Sequence, residues 1–289
     1  MSSTNIWVVG ARPRTLPAAI SPVLVGTALI RRDHHLINYL NATLALLVSL
    51  LLQIAVNYSN DYSDGIRGTD NNRVGPTRLV ASGLATARAV KVAALICFAF
   101  AALLGTVLAV RVSWWLLLIG SLSILAAWTY TGGKRPYGYL GFGEISVFLF
   151  FGLVATMGSY LVQSHRITWQ SFLVSLPVGA LSCSLLAINN LRDLPKDSLV
   201  GKRTLAVRLG DKRARIMFIS LLLGAHLVAL VAAFITPWTV VTILLFPLTS
   251  QIITLIRNGA SGAELIPLLG KVGKLQLFLS TTLAIALLL

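Results

Sequence analysis

Negative charge is scarce in this sequence, with nine carboxylates among 289 residues. Charged residues of both signs make up only 11%, where a soluble domain carries about 25%, so water is not the main solvent of this chain. Cysteine is nearly absent as well. Cys97 and Cys183 are the only two, and no thiol or histidine stands near either at ligand spacing, which excludes a disulfide framework and leaves both as packing residues. A G-x-x-x-x-G-K-[ST] loop is missing, which argues against a nucleotide-driven pump.

Apolar residues fill the space that charge leaves. They are 56% of the chain and fall into runs at 15–32, 38–57, 89–110, 113–131, 144–163, 171–190, 215–235, 238–256 and 272–289. Each run is near the roughly 20 residues that cross a ~30 Å hydrocarbon layer, and lipid admits only segments that satisfy their own backbone hydrogen bonds. The expected fold is therefore an all-α membrane bundle of nine transmembrane helices, residues 1–289 forming one unit without a separate soluble domain. The first run follows Arg12 and Arg14 as a signal peptide would, but its length makes it a helix.

A net charge of +15 raises nucleic acid as a partner, and the placement of the charges argues against it. With nine spans, twenty of the 24 basic residues fall on the side of the N-terminus; Arg31, Arg32, Arg111 and Arg166 are the exceptions. That asymmetry predicts a cell-membrane protein with its N-terminus cytoplasmic and its C-terminus outside. Trp114, Trp115, Trp169 and Trp238 mark the outer span ends, Trp7 and Trp128 the inner ones.

Eight of the nine carboxylates share the cytoplasmic side; Asp33 does not. Five aspartates form two clusters. Asn57, Asn60, Asp61, Asp64 and Asp70 close the second span in NYSNDYSDGIRGTD; Asn189, Asn190, Asp193 and Asp197 close the sixth in NNLRDLPKD. Both end even-numbered spans, and 132 residues separate Asp61 from Asp193, the mark of a parallel internal duplication. If the second helix continues, Asn57, Asp61 and Asp64 lie at i, i+4 and i+7 on one face. Pro195 predicts that the second aspartate pair is split between a helix end and the turn after it.

A single aspartate after a span reads most simply as a solvated cap. Four gathered at one mouth do not, because carboxylates ~6 Å apart at an effective dielectric of ~20 repel by roughly 3 kcal/mol per pair. Cations must hold them, and ligands that are all oxygen point to a hard ion such as Mg²⁺, which binds through one or two carboxylates plus substrate phosphates. Basic residues share that face: Arg78, Lys134 and Arg135, then Lys202, Arg203 and Arg208 just after the second cluster. Carboxylate, metal and Lys or Arg together clamp a polyphosphate. An apolar bundle with such a mouth suits a polyprenyl diphosphate, whose head is charged and whose tail is greasy.

The motifs N-x-x-x-D-x-x-D at Asn57, Asp61 and Asp64 and D-x-x-x-D at Asp193 and Asp197 resemble the UbiA superfamily of intramembrane prenyltransferases, whose fold is a nine-helix bundle. ARPRTLPAAISPVLVGTAL, TYTGGKRPYGYLGFGEISVFLFFG and NNLRDLPKDSLVGKRTLAVRLGD resemble its MenA branch, the 1,4-dihydroxy-2-naphthoate polyprenyltransferases, especially actinobacterial ones. Many members of the superfamily carry a third aspartate where this chain has Gly68; Asp70 follows two residues later.

The resemblance implies menaquinone biosynthesis, with a polyprenyl diphosphate and 1,4-dihydroxy-2-naphthoate as substrates and no nucleic acid. Asp61, Asp64, Asp193 and Asp197, helped by Asn57, Asn60, Asn189 and Asn190, would hold two Mg²⁺ ions. Lys202, Arg203, Arg78, Lys134 and Arg135 would bind the diphosphate, and Arg192 and Arg135 are candidates for the acceptor's carboxylate. Other acceptors, such as 4-hydroxybenzoate, homogentisate or haem, separate from this one only by the resemblance. A cation-coupled transporter would place ionisable residues at mid-membrane, where this sequence offers only His226, read as a hydrogen-bonded packing residue.

Overall fold

The computed structural model describes residues 5–33, 35–69 and 75–289; Asp70 and Arg73 lie outside them. The described residues form helices only: α1 Ile6–Ala11, α2 Pro17–Leu29, α3 Tyr39–Ile66, α4 Ala87–Arg111, α5 Trp115–Thr129, α6 Gly143–Val147, α7 Ala155–Ser164, α8 Trp169–Leu199, α9 Leu205–Val231, α10 Phe246–Arg257 and α11 Leu265–Leu288. A π-helix, Phe148–Val154, joins α6 to α7 into one rod, and a 3₁₀ stretch, Pro237–Leu245, leads into α10.

Seven of these rods are long and apolar enough to cross a bilayer, eight when the bent pair Ile6–Thr15 and Pro17–Asp33 counts as one span. The bend of 52° falls at Leu16, between Thr15 and Pro17, the first residue of α2. The predicted fourth span, α5, is 15 residues long, short of a full crossing. The chain thus reads as a multi-pass membrane protein.

Two helices outrun the membrane. At 1.5 Å per residue, α3 with 28 residues and α8 with 31 are about 42 and 46 Å long, roughly two and three turns beyond a ~30 Å layer. Asn38 caps the start of α3, and a Thr168–Ser171 capping box starts α8, so both excesses fall at the C-terminal ends, where the aspartates are. The expected break at Pro195 is absent. α8 runs through Pro177 and Pro195 to Leu199. Burial of Leu191, Arg192 and Asp197 after it enters the bundle outweighs the ~3 kcal/mol a mid-helix proline costs. Asp193 and Asp197 therefore share a helical face.

α8 is the axis of the bundle, with most of its apolar stretch buried, whereas α3 and α4 turn most of theirs outward. Its buried face is built of small residues, among them Ser175, Gly179, Ser182, Cys183 and Ser184. Membrane helices gain little from the hydrophobic effect against lipid and pack where backbones approach closely. Gly152 of the π-stretch meets α8 in that way, since a Cβ on it would stand 2.5 Å from the Gly179 Cα. Large apolar side chains such as Phe100, Leu118, Leu227 and Leu244 form the outer shell.

α9 begins ten residues before the predicted seventh span. Gly210, at φ 76°, breaks it after its first turns. His226 on α9 is buried and bonded through Nε2 to Thr249 Oγ1 at 2.7 Å, as a packing residue should be. Cys183 is buried and donates to the Glu144 carbonyl at 3.1 Å; Cys97 packs in the cluster around Leu79 and Val90.

Candidate active site

The projecting turns of α3 and α8 come to one end of the bundle, with the loops 75–86, 130–142 and 200–204 around them. Asp61 is 1% exposed, and its carboxylate accepts from two backbone amides, Leu79 N at 2.8 Å and Val80 N at 3.1 Å. It thereby fastens the loop carrying Arg78 onto α3. Asp64, one turn on, is also buried and stands at the centre of a charged group. Arg78 Nη2 lies 3.7 Å from its Oδ2 and Lys202 Nζ 3.4 Å from its Oδ1, while the Tyr139 phenol donates to Oδ1 at 2.5 Å.

Tyr139 binds the pieces together. The Lys202 ammonium sits over its ring at 4.6 Å and the Arg67 guanidinium at 5.5 Å. Its carbonyl accepts from Arg203 N at 2.9 Å. Burial first, and then the Asp64 carboxylate, push its phenol above the ordinary value, so Tyr139 stays a donor. Arg67 also donates to the Thr131 and Gly133 carbonyls, which ties the end of α3 to the 130–142 loop.

On α8, Arg192 grips Asp193 with two bonds of 2.7 Å from Nε and Nη2. Asp197 is buried, and its carbonyl accepts from Lys202 N at 2.9 Å, which places that lysine. The asparagines are committed locally. Asn57 donates to Ala11 O at 2.9 Å and Thr15 Oγ1 at 3.0 Å; Asn60 accepts from Thr131 Oγ1 at 2.8 Å. Asn189 donates back to Leu185 O at 2.8 Å, and Asn190 donates to Glu144 Oε1 at 2.9 Å.

The predicted residues are therefore only partly gathered. Asp64, Arg78 and Lys202 meet directly. Lys134, Arg135 and Arg203 stand exposed on the loops around the mouth. Arg192 is held by Asp193 rather than turned into a cavity.

A cavity of about 400 Å³ runs inward from this end. Its polar end is formed by Arg12, Asn57, Asn60, Tyr130 and Asn189; Leu52, Leu108, Leu116, Ile124 and Phe150 line the apolar remainder. The four aspartates are not among its lining residues; they follow Asn57, Asn60 and Asn189, which are, along α3 and α8. Tyr139, Arg67, Tyr130, Arg12 and Glu144 are the residues that motif reading missed. TYTGGKRPYGY carried the signal for two of them, because aromatic residues among cations in a loop between spans have work to do besides fixing topology.

Among the described residues, no three Asp, Glu, His or Cys side chains are close enough to hold a metal ion by themselves. The donor set nevertheless fits Mg²⁺ taken up together with a phosphate, which needs only one or two carboxylates from the protein. All these donors are oxygens, and the charges of Asp64 and Asp193 are held by cationic side chains.

Comparison with known proteins bears on the family and the fold. A 1,4-dihydroxy-2-naphthoate octaprenyltransferase of Mycobacterium tuberculosis is 49% identical over 287 residues, covering 99% of this chain and 98% of that one. One from Escherichia coli is 42% identical over 232 residues, 78% of this chain and 75% of that one. A UbiA homolog from Archaeoglobus fulgidus, solved with GPP and Mg²⁺, superposes with a TM-score of 0.70 at 14% identity, over 98% of this chain and 99% of that one. An apo UbiA homolog from Aeropyrum pernix gives 0.72 at 15%, covering 98% of both chains. At such identities the two structures speak for the fold alone. The model of the UbiA prenyltransferase family matches residues 19–263, and the chain belongs to that family.

Proposed function

We propose that this enzyme transfers a polyprenyl group from its diphosphate to 1,4-dihydroxy-2-naphthoate, releasing diphosphate and CO₂ and forming demethylmenaquinol, the reduced form of demethylmenaquinone. The observation that carries the reading is a buried Asp64–Arg78–Lys202–Tyr139 cluster set at the mouth of a long apolar cavity. The identity to octaprenyltransferases of that acceptor over nearly the whole chain supports the choice of substrates.

Lys134, Arg135 and Arg203 on the exposed rim meet the diphosphate first. Arg78 and Lys202, paired to Asp64 in the free protein, turn part of their charge to it as it seats. Two Mg²⁺ ions held by Asp61, Asp64, Asp193 and Asp197, with Asn57, Asn60, Asn189 and Asn190 as further oxygen donors, would supply Lewis-acid neutralisation of the leaving group. The allylic C–O bond breaks and the ring carbon bearing the carboxylate attacks. That carboxylate departs as CO₂ and its bonding pair restores the aromatic ring. The apolar wall holds the tail and keeps out water that would quench the cation.

The same reading takes α5 as a ninth crossing, with the N-terminus and the mouth cytoplasmic and the C-terminus outside the cell membrane. It also takes the two halves as a duplication: the most extensive helix interfaces are α3 with α4 and α8 with α9, equivalent places in each half. The test is transfer by the purified protein from a short prenyl diphosphate to 1,4-dihydroxy-2-naphthoate, with Mg²⁺ or excess EDTA, read by product mass. A metal-dependent product of acceptor plus prenyl minus CO₂ is expected. A product formed only with a different aromatic acceptor would discard the substrate and keep the mouth.

A further inference from the structure

The helix glycines differ in what a side chain on them would meet. At Gly26, Gly65, Gly152 and Gly273 a Cβ would come nearer than 3.0 Å to a neighbouring atom, so these glycines serve close packing. At five others among the described residues in helical conformation, Gly105, Gly120, Gly158, Gly224 and Gly270, it would meet nothing within 4 Å. Glycine destabilises a helix interior relative to alanine, and open space beside it removes packing as the reason for its presence. Three of the five line the cavity: Gly105 on α4, Gly120 on α5 and Gly158 on α7.

All three stand at one depth. The polar end of the cavity is marked by Tyr130, Tyr137 and Ser146, the two rings 5.5 Å apart and Tyr137 bonded to Ser146 Oγ at 2.8 Å. Gly120 lies ten residues from Tyr130 along α5, and Gly158 twelve from Ser146 along the rod that α6 and α7 form, which puts both roughly 15–18 Å in. The lining ends at Leu108 on α4, Leu116 on α5 and Val162 on α7, in each case three or four residues, one helical turn, past the glycine. Val23, Ala45, Leu108 and Val162 pack together there with Leu116 against them, and this cluster is the floor. The hydroxyls of Thr106, Ser123 and Ser159 along the wall each donate to a carbonyl of their own helix at 2.7–2.8 Å, so the wall is apolar in effect.

We infer that Gly105, Gly120 and Gly158 determine chain-length specificity, keeping the last turn of the cavity open above its floor for the isoprene units far from the diphosphate. A chain entering at the polar end can run along the apolar wall to that floor. A side chain at any of the three positions would occupy the space its far units need and leave the near units and the mouth untouched. That the occupant is a prenyl tail rests on the proposed function; the depth of the cavity and the open space at the glycines do not.

The experiment takes wild type, Gly105→Leu, Gly120→Leu and Gly158→Leu, with Gly224→Leu on α9 as a control away from the cavity, all in detergent with thermal midpoints recorded. No atom lies within 4 Å of the added Cβ at any of these positions, so each variant should fold, and alanine there gives a smaller step where leucine disturbs the bundle. A ladder of prenyl diphosphates from geranyl upward is compared by turnover with 1,4-dihydroxy-2-naphthoate, and the matching unreactive thiolodiphosphates by binding. In each cavity variant the ratio of kcat/KM for the longest chain that wild type uses to that for geranyl should fall roughly tenfold, the scale of overpacking a filled site, and the binding preference should shift with it. Gly224→Leu should keep the wild-type ratio.

An unchanged ratio in all three cavity variants would overturn the inference, as for a tail that leaves sideways into lipid past the exposed Leu117 and Ser121. So would an equal fall in Gly224→Leu, the mark of a general disturbance of the bundle. Analogue binding that shifts toward short chains in the cavity variants, without transfer to the naphthoate by wild type, would sink the proposed reaction and keep this inference. No binding of any analogue by wild type would overturn both.

Discussion

Asp61→Asn separates two roles that one carboxylate could play. In the free protein both Asp61 oxygens are spent on the backbone amides of Leu79 and Val80, and the loop so fastened brings Arg78 to Asp64. Asparagine can keep its oxygen for Leu79 but must turn an NH₂ toward the Val80 N–H, donor against donor. A hydrogen bond to a charged group contributes about 1.5–3 kcal/mol. Losing one should lower the local opening free energy of the 78–85 loop by ~2 kcal/mol. At about 1.36 kcal/mol per decade, that is a ~30-fold faster exchange of the Leu79 and Val80 amides. Hydrogen exchange followed by mass spectrometry in detergent reads the change directly, and KM for the prenyl diphosphate should rise with it as Arg78 loosens. Unchanged exchange at these amides, together with lost transfer, would refute the latch and leave Asp61 as a metal ligand alone.

Tyr139→Phe removes the bond to Asp64 but leaves the ring under Lys202. It should cut kcat/KM for the prenyl diphosphate by about tenfold with little loss of stability, as steady-state kinetics and thermal midpoints will show. Because the folded Tyr139 phenol titrates above its ordinary value of 10, folding favours its protonated form. That contribution is complete below about pH 10 and is lost as pH rises toward the folded value, so the wild-type midpoint should begin to fall above pH 10, and less steeply in Tyr139→Phe. Gly152→Leu forces a side chain into the Gly179 backbone and should cost at least the 1–3 kcal/mol of an overpacked core, read as a lower midpoint and lost transfer. Chelation with EDTA should abolish transfer, and Mg²⁺ should restore it in the same sample.

How far the sequence could be read depended on which physical effect governed each segment. Apolar length located the long rods from α3 onward, because lipid leaves the backbone no alternative to a helix. It located the second piece of the first span but did not register the bend at Leu16 that joins Ile6–Thr15 to it, and it missed the start of α9, where LAVRLGDKRA is too basic to read as a span yet lies in the helix. Pro195 misled because local propensity yields to burial: α8 needs its last turn to carry Asp197 inward. Spacing placed Asp61 and Asp64 on one helix but could not show that one faces backbone amides and the other cations. Partners from Arg78, 14 residues on from Asp64, to Lys202, 138 on, decide that, and only folding brings them close.

These partnerships bear on how the mouth works. Lysine, arginine and aspartate motifs read one by one imply a ring of free cations and free anions waiting for ligand. In the structure Asp64 is matched by Arg78 and Lys202, Asp193 by Arg192, and Asp61 by the backbone. Buried charges left bare would each cost several kcal/mol, so the free protein must neutralise them internally. Under the proposed function, binding of a metal-bearing diphosphate would then be an exchange: carboxylates would turn from side-chain cations to metal, and those cations from carboxylates to phosphate. Such an exchange costs little when both ligands arrive together and much when either comes alone, because one would leave Lys202 and Arg78 without anions and the other would leave phosphate beside carboxylates. The mouth should therefore bind magnesium and diphosphate cooperatively. Titration of Mn²⁺ as a spin probe, with and without pyrophosphate, should show affinity at least tenfold higher in its presence, and equal affinities would rule the exchange out.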